Sequence, residues 1–182
     1  MKIEKRGKKA LSVMIGYILL ITFGIILSII VFAYLKTYVP KELANCPEGV
    51  SIFIEEINCT DNAGVKEINL TLQNNGKFNL AGYFIHATSA SGQEVATVDL
   101  SKGLVEDLTS GPYLIGNSVI FNKISPGTNE FKPNNKTTHK YEDLSGGIYQ
   151  IEIIPVRYEV QGSIQRLASC GDARVWEISD CE

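Results

Sequence analysis

Four cysteines are the residues with the clearest chemistry in this 182-residue chain. No two of them form a Cys-x-x-Cys pair, so the sequence predicts no zinc site. All four cysteines follow an N-terminal apolar run, residues 10–35, that would place them on the exterior side of a membrane. An even number of cysteines in that location is typical of disulfides. We therefore predict two disulfides among the following residues: Cys46, Cys59, Cys170 and Cys181.

The cysteine spacing favours long-range disulfides over local ones. Residues 50–54 and 174–178 are predicted strands, and a strand rising ~3.3 Å per residue holds its ends much farther apart than the ~5.5 Å of a disulfide. In an antiparallel pair of strands, the residue numbers of any two facing residues add up to the same sum. The sum for Cys46 and Cys181 is nearly equal to the sum for Cys59 and Cys170. We predict these two bridges, between neighbouring first and last strands. A coincidence of spacing is the alternative, because connectivity is not normally readable from sequence.

The remaining reactive residues do not form a catalytic pattern. Histidines occur at two positions, His86 in a predicted strand and His139 in a predicted loop, without the partner spacing of a metal or nucleophile site. Adjacent carboxylates in a strand point to opposite faces and are typical solvated charges; they are Glu55–Glu56, Glu106–Asp107 and Glu142–Asp143. We predict no catalytic residue, no metal, no cofactor and no enzyme activity.

Three Asn-x-Thr sequons are candidate N-glycosylation sites. They begin at Asn58, Asn69 and Asn135. Asn69 lies on the polar side of an alternating strand, and Asn135 lies in a polar loop predicted over 125–140. A glycan at either residue would avoid the core.

An uncharged apolar run covers residues 10–35. As a helix it would be roughly 39 Å long at ~1.5 Å per residue, enough to cross a hydrocarbon core of about 30 Å. Residues 1–45 hold 7 Lys/Arg and 2 Asp/Glu, whereas residues 46–182 hold 10 and 18. The basic flank predicts a cytoplasmic N-terminus and an exterior acidic domain, and that acidity argues against nucleic acid as a partner.

Residues 46–182 have the pattern of an all-β domain. Short β-branched or alternating segments are separated by turn residues, which is typical of a sandwich. The overall prediction is an α+β chain in which a long N-terminal hydrophobic helix precedes an immunoglobulin-like (Ig-like) β-sandwich. Pro155 predicts a bulge or an edge position. The predicted strands cover 50–54, 68–72, 83–87, 94–98, 118–121, 148–160, 164–167 and 174–178.

The start of the apolar run resembles the class III signal peptide of archaeal type IV pilins. That signal has two basic residues, then Gly or Ala, then a run close to VSPVIGVILM. Lys8, Lys9 and Ala10 supply the junction, and Leu11 stands where Val is usual. Val13 replaces the usual Pro. Five residues match in place: Ser12, Ile15, Gly16, Ile18 and Leu19.

The resemblance implies cleavage by a prepilin peptidase after Ala10, so that the mature chain begins at Leu11. It divides the chain into a signal peptide (1–10), a hydrophobic helix with its connector (11–45) and the exterior domain (46–182). Bacterial pilins carry Glu at the fifth mature position, whereas Ile15 stands here, which fits the archaeal type. Lys5-Arg6-Gly7 is a weaker alternative cleavage junction.

The resemblance implies that the chain is a subunit of a homo-oligomeric surface filament. The subunit would be inserted in the cytoplasmic membrane before assembly. An assembly ATPase and a membrane platform are the further implied partners. The competing hypotheses are a membrane-anchored binding module, solute-binding or stator-like, that never polymerises, and an exported enzyme. Small residues every four positions, interrupted by Leu20, predict a helix-packing strip on nearly one face; they are Ser12, Gly16, Gly24 and Ser28.

Overall fold

The computed structural model describes residues 5–38, 46–123, 127–161 and 163–181. Two compact units divide the chain, 1–43 and 44–182. The first contains one helix, α1 (Lys5–Tyr38). The described residues of the second form ten strands: β1 (Phe53–Asn62), β2 (Val65–Gln73), β3 (Gly82–Thr88), β4 (Val98–Asp99), β5 (Tyr113–Ile115), β6 (Ser118–Ile120), β7 (Lys136–Leu144), β8 (Ile148–Gln161), β9 (Ile164–Ser169) and β10 (Val175–Cys181).

The smaller sheet has three antiparallel strands in the order β1-β2-β7. Its central strand follows the alternation expected from the sequence. Ile68, Leu70 and Leu72 are fully buried, while Asn69 and Thr71 between them are half-buried on the outer face. Because the side-chain period of a strand is two, this pattern fixes which face of the sheet meets the core.

The larger sheet has seven strands in the described residues, in the order β10-β8-β3-β6-β5, with β4 beside β3 and β9 beside β8. Pro155 lies inside β8, not at a sheet edge. The Pro155 carbonyl accepts a hydrogen bond from the Cys170 amide at 2.9 Å. A strand residue directs its N–H and C=O to the same edge, so the missing N–H faces the gap where β9 ends and β10 begins. Proline is tolerated here because no ladder bond is lost.

The two sheets enclose one apolar core, which confirms the α+β layout of an apolar helix followed by a two-sheet antiparallel domain. Fully buried side chains from both sheets meet there, as expected when alternating faces turn inward. They include Ile68, Leu70, Leu72, Tyr83, Ile85, Tyr141, Ile151 and Ile153.

Two sequence-based assignments of elements were wrong. The loop predicted over 125–140 overlaps β7, which begins at Lys136 and contains His139. The strand predicted over 94–98 is reduced to Val98 at the start of β4. In β7, polar residues occupy the solvent face and two inward positions are Thr137 and His139, so the segment has too few aliphatic residues to be recognised.

The predicted disulfide pairing was also wrong. The structure joins Cys46 to Cys170, with a Cα–Cα distance of 5.3 Å, and Cys59 to Cys181, at 5.6 Å. Both bridges are long-range, as predicted. The constant-sum argument assumed that the first and last strands pair within one sheet, whereas β1 and β10 belong to different sheets. Cys59–Cys181 therefore links the two sheets.

Candidate functional site

The apolar helix is the first candidate functional element. Within α1, the segment Met14–Lys36 is long and apolar enough to cross a membrane, and all its residues are exposed. A helix of a water-soluble domain has a polar face opposite its buried one. Here large apolar side chains occupy every side, including Ile15, Leu19, Phe23 and Phe32. Such a surface is compatible with lipid or with other apolar helices.

Open space lies beside the two glycines of this segment, Gly16 and Gly24. A Cβ atom built on Gly16 or on Gly24 would meet no other group within 4 Å. At about 100° per residue, however, positions eight apart differ by roughly 80° around a straight helix. The strip from Ser12 to Ser28 therefore winds around α1 instead of lying on nearly one face. It follows an i±4 ridge, which suits helices that cross at an angle.

The predicted cleavage junction lies within the backbone bounds of α1. Residues Lys8, Lys9, Ala10 and Leu11 belong to the helix that begins at Lys5. Their side chains, and that of Ser12, lie outside the described residues. Cleavage after Ala10 stays a prediction.

The three sequons lie on or next to the smaller sheet. Asn58 is exposed in β1, and Asn69 is half-buried in β2. Asn135 is exposed in the turn that precedes β7, where its backbone N–H donates to the Lys132 carbonyl at 3.1 Å. All three asparagines have some access to solvent, but to very different degrees.

His139 is a core residue of β7 and not a loop residue. Its side chain is 3% exposed, and burial lowers its pKa to about 4. The ring Nδ1 shares a hydrogen bond with the Tyr83 hydroxyl, which is 2.7 Å from the Tyr141 hydroxyl. Burial also raises the pKa of both tyrosines. The three buried side chains thus satisfy one another's polar groups between the sheets.

The other histidine, His86, has charged neighbours in the larger sheet. His86 lies between Glu152 and Asp99 in the register of β8, β3 and β4. Glu152 is instead oriented toward Arg174, with 3.6 Å between the guanidinium and the carboxylate. Among the described residues, no group of three or more His, Cys, Asp and Glu side chains could hold a metal ion.

The adjacent carboxylates have structural partners. Glu55 pairs with Lys136, and Glu142 lies 2.5 Å from the Lys140 ammonium. Glu106 accepts a hydrogen bond from the Leu114 amide at 2.6 Å. Hydrogen bonds from Ser110 and then Thr109 lower the pKa of Asp107. One carboxylate of the first and last pair and both of the middle pair therefore have a partner within the β-domain.

Sequence reasoning missed one buried cation. Lys66 is 6% exposed, and its ammonium donates to the Cys181 carbonyl and lies 3.9 Å from Asp61. The available signal was its spacing, because Lys66 has the same parity as Ile68 and Leu70 and so points to the core side of β2. Its contact connects the smaller sheet to the end of β10.

No known protein family, curated protein or solved structure matches this chain.

Proposed function

We propose that this chain is a structural subunit of an archaeal type IV pilus-like surface filament. Its helix forms the filament core, and its β-domain forms the outer surface. The observation that carries the proposal is that all residues from 14 to 36 are exposed, whereas the β-domain closes its own core. The junction at Lys8-Lys9-Ala10, which resembles a class III signal peptide, favours a pilus-like filament over other membrane-anchored proteins.

The physical chemistry of the helix supports assembly outside the bilayer. In lipid, an apolar helix gains little hydrophobic free energy by meeting another helix, because the acyl chains are equally apolar. In water, the same surface costs about 25 cal/mol per Å². A bundle of such helices removes that surface from water once the subunits leave the membrane. Gly16 and Gly24 then allow backbones to approach closely.

The exterior domain has properties suited to a filament surface. Two disulfides are typical of an extracytoplasmic protein. In the proposed pathway, a prepilin peptidase removes residues 1–10, and an assembly ATPase and a membrane platform build the polymer. We also propose that the filament acts in cell adhesion and that the β-domain is glycosylated.

Processing is the first test. N-terminal sequencing of the protein from native membranes should find Leu11 as the first residue. Replacing Ala10 with Leu should block cleavage by the peptidase while leaving membrane insertion intact, because insertion depends on the apolar run that follows. An intact residue 1 in the final protein would contradict both cleavage and assembly.

Helix packing is the second test. Gly16→Leu and Gly24→Leu should abolish filaments seen by electron microscopy, because a side chain at either position holds neighbouring backbones apart. Ala33→Leu is the matched control, since it adds similar bulk away from the i±4 ridge, and it should leave filaments present. Unchanged membrane insertion and disulfide formation would show that the variants fold. If cells with the full assembly machinery show only dispersed membrane monomers of the unaltered chain, the anchored binding module is the better description.

A further inference from the structure

The outer face of the smaller sheet brings two sequons together. Asn58 of β1 faces Asn69 of β2 directly in the antiparallel register. On its other side, Asn69 faces Lys140 of β7. We propose that Asn58 and Asn69 form a single glycosylation site, in which Asn58 is the acceptor and Asn69 remains unmodified. The proposal requires an exterior domain but does not depend on polymerisation.

Asn58 is presented as an accessible acceptor. Asn58 and Thr60, the two recognised members of its sequon, are both exposed. In the described residues β1 is hydrogen-bonded only to β2, so the sequon lies in an edge strand of the smaller sheet. Cys59 between them turns to the opposite side and is bonded to Cys181, which holds Asn58 and Thr60 outward.

Asn69 is enclosed by its neighbours. It lies in the central strand, and both Asn69 and Thr71 are half-buried. The Thr71 hydroxyl is 2.9 Å from the Thr138 hydroxyl, so the group that marks the sequon already has a partner. Lys140, which faces Asn69 in the register, has its ammonium 2.5 Å from Glu142 and 3.2 Å from Glu67. A transferase would have to open this arrangement to reach Asn69.

The spacing of the pair also prevents double occupancy. Facing residues on one face of an antiparallel pair have Cβ atoms about 4.5–5.5 Å apart. Two sugar rings attached to Asn58 and Asn69 would compete for the same space above the sheet. The edge position of Asn58 allows its glycan to extend away from β2.

The reaction transfers a glycosyl group from a polyprenyl-phosphate-linked oligosaccharide. The Asn58 side-chain nitrogen forms a bond to the anomeric carbon, and the bond from that carbon to the phosphate oxygen breaks. The amide nitrogen loses one proton to a base of the transferase, and the polyprenyl phosphate leaves with the electron pair of the broken bond. No oxidation or reduction takes place.

The test is glycopeptide mass spectrometry of the full chain made in a host that glycosylates Asn-x-Thr sequons. The peptide with Asn58 should carry a glycan, whereas the peptide with Asn69 should not. Thr60→Ala should abolish modification of Asn58 although the asparagine remains. The matched variant, Thr71→Ala, should leave the glycan pattern unchanged. In Asn58→Gln the glycan should be lost without appearing on Asn69.

Several outcomes would overturn the inference. A glycan on Asn69, in the unaltered chain or in Asn58→Gln, would show that the central strand is accessible to the transferase. An unmodified Asn58 in a chain modified at Asn135 would show that the edge position is not recognised. An entirely unmodified chain, in cells that modify a control glycoprotein, would equally refute the assignment. Correct disulfides in each variant verify the fold.

Discussion

Interlocked disulfides make a quantitative prediction about the stability of the exterior domain. Cys46–Cys170 and Cys59–Cys181 span 124 and 122 residues, and each bridge has one of its two cysteines inside the loop closed by the other. In the chain-entropy model, closing such a loop in an otherwise open chain stabilises by about 5 kcal/mol. With one bridge present, the second closes a much smaller loop. That loop consists of residues 46–59 and residues 170–181, joined at both ends by the two disulfides.

That smaller loop contains about 24 residues and is worth about 3.5 kcal/mol in the same model. We therefore expect removal of either bridge, by paired Cys→Ala substitutions, to lower the free energy of unfolding by about 3.5 kcal/mol. Removing both should lower it by about 8.5 kcal/mol, more than the sum of the two single losses.

The assay is urea unfolding of the detergent-solubilised chain, followed by the fluorescence of Trp176. The Arg174 guanidinium lies 5.2 Å from the centre of the Trp176 ring, a contact that unfolding removes. Local bridges would close independent short loops, so their losses would simply add. Additive losses would therefore refute the interlocked arrangement. Non-reducing peptide mapping identifies the pairs themselves, and a Cys46–Cys181 peptide would contradict the structure.

Two further predictions concern the core. The pKa of His139 is about 4 in the folded state and about 6.5 in an unfolded chain. The contribution of neutral His139 to the free energy of unfolding therefore has its full value above about pH 6.5. It falls by up to roughly 3 kcal/mol as the pH drops to 4. In His139→Gln, the free energy of unfolding measured in urea should vary less with pH over this range. An unchanged pH profile would show that His139 does not contribute. Gly82→Ala should destabilise by about 1–3 kcal/mol in the same assay, because its Cβ would lie 2.0 Å from the Val119 carbonyl oxygen. Gly171→Ala is its control, since a Cβ there meets nothing within 4 Å; equal losses in both would contradict the packing argument.

Local pattern made part of this structure predictable. The apolar run predicted α1, and strict alternation predicted β2, because each signal lies within a few consecutive residues. The long strand at 148–160 was likewise recognisable from its isoleucines, and it corresponds closely to β8. Such segments carry their own periodicity, whatever their partners are.

Features that depend on partners distant in sequence were not predictable. His139 reads as a loop residue because its burial depends on Tyr83, which lies in the other sheet. The disulfide pairing depends on which sheet contains β1 and which contains β10. The facing of Asn58 and Asn69 depends on the register of the β1–β2 hairpin, and the sequence gives no direct measure of that register.

The interlocked bridges also determine how the exterior domain would respond to mechanical load. A pull applied between Cys46 and Cys181 has two short covalent routes, one through residues 170–181 and one through residues 46–59, and a long route through residues 59–170 that stays slack while the short ones are taut. The shorter route spans 11 residues, which at ~3.6 Å per residue extends about 40 Å. The reduced chain between the same points could extend about 490 Å at that length per residue. Oxidation thus shortens the tether to about a tenth, and β2 through β9 bear none of the tension.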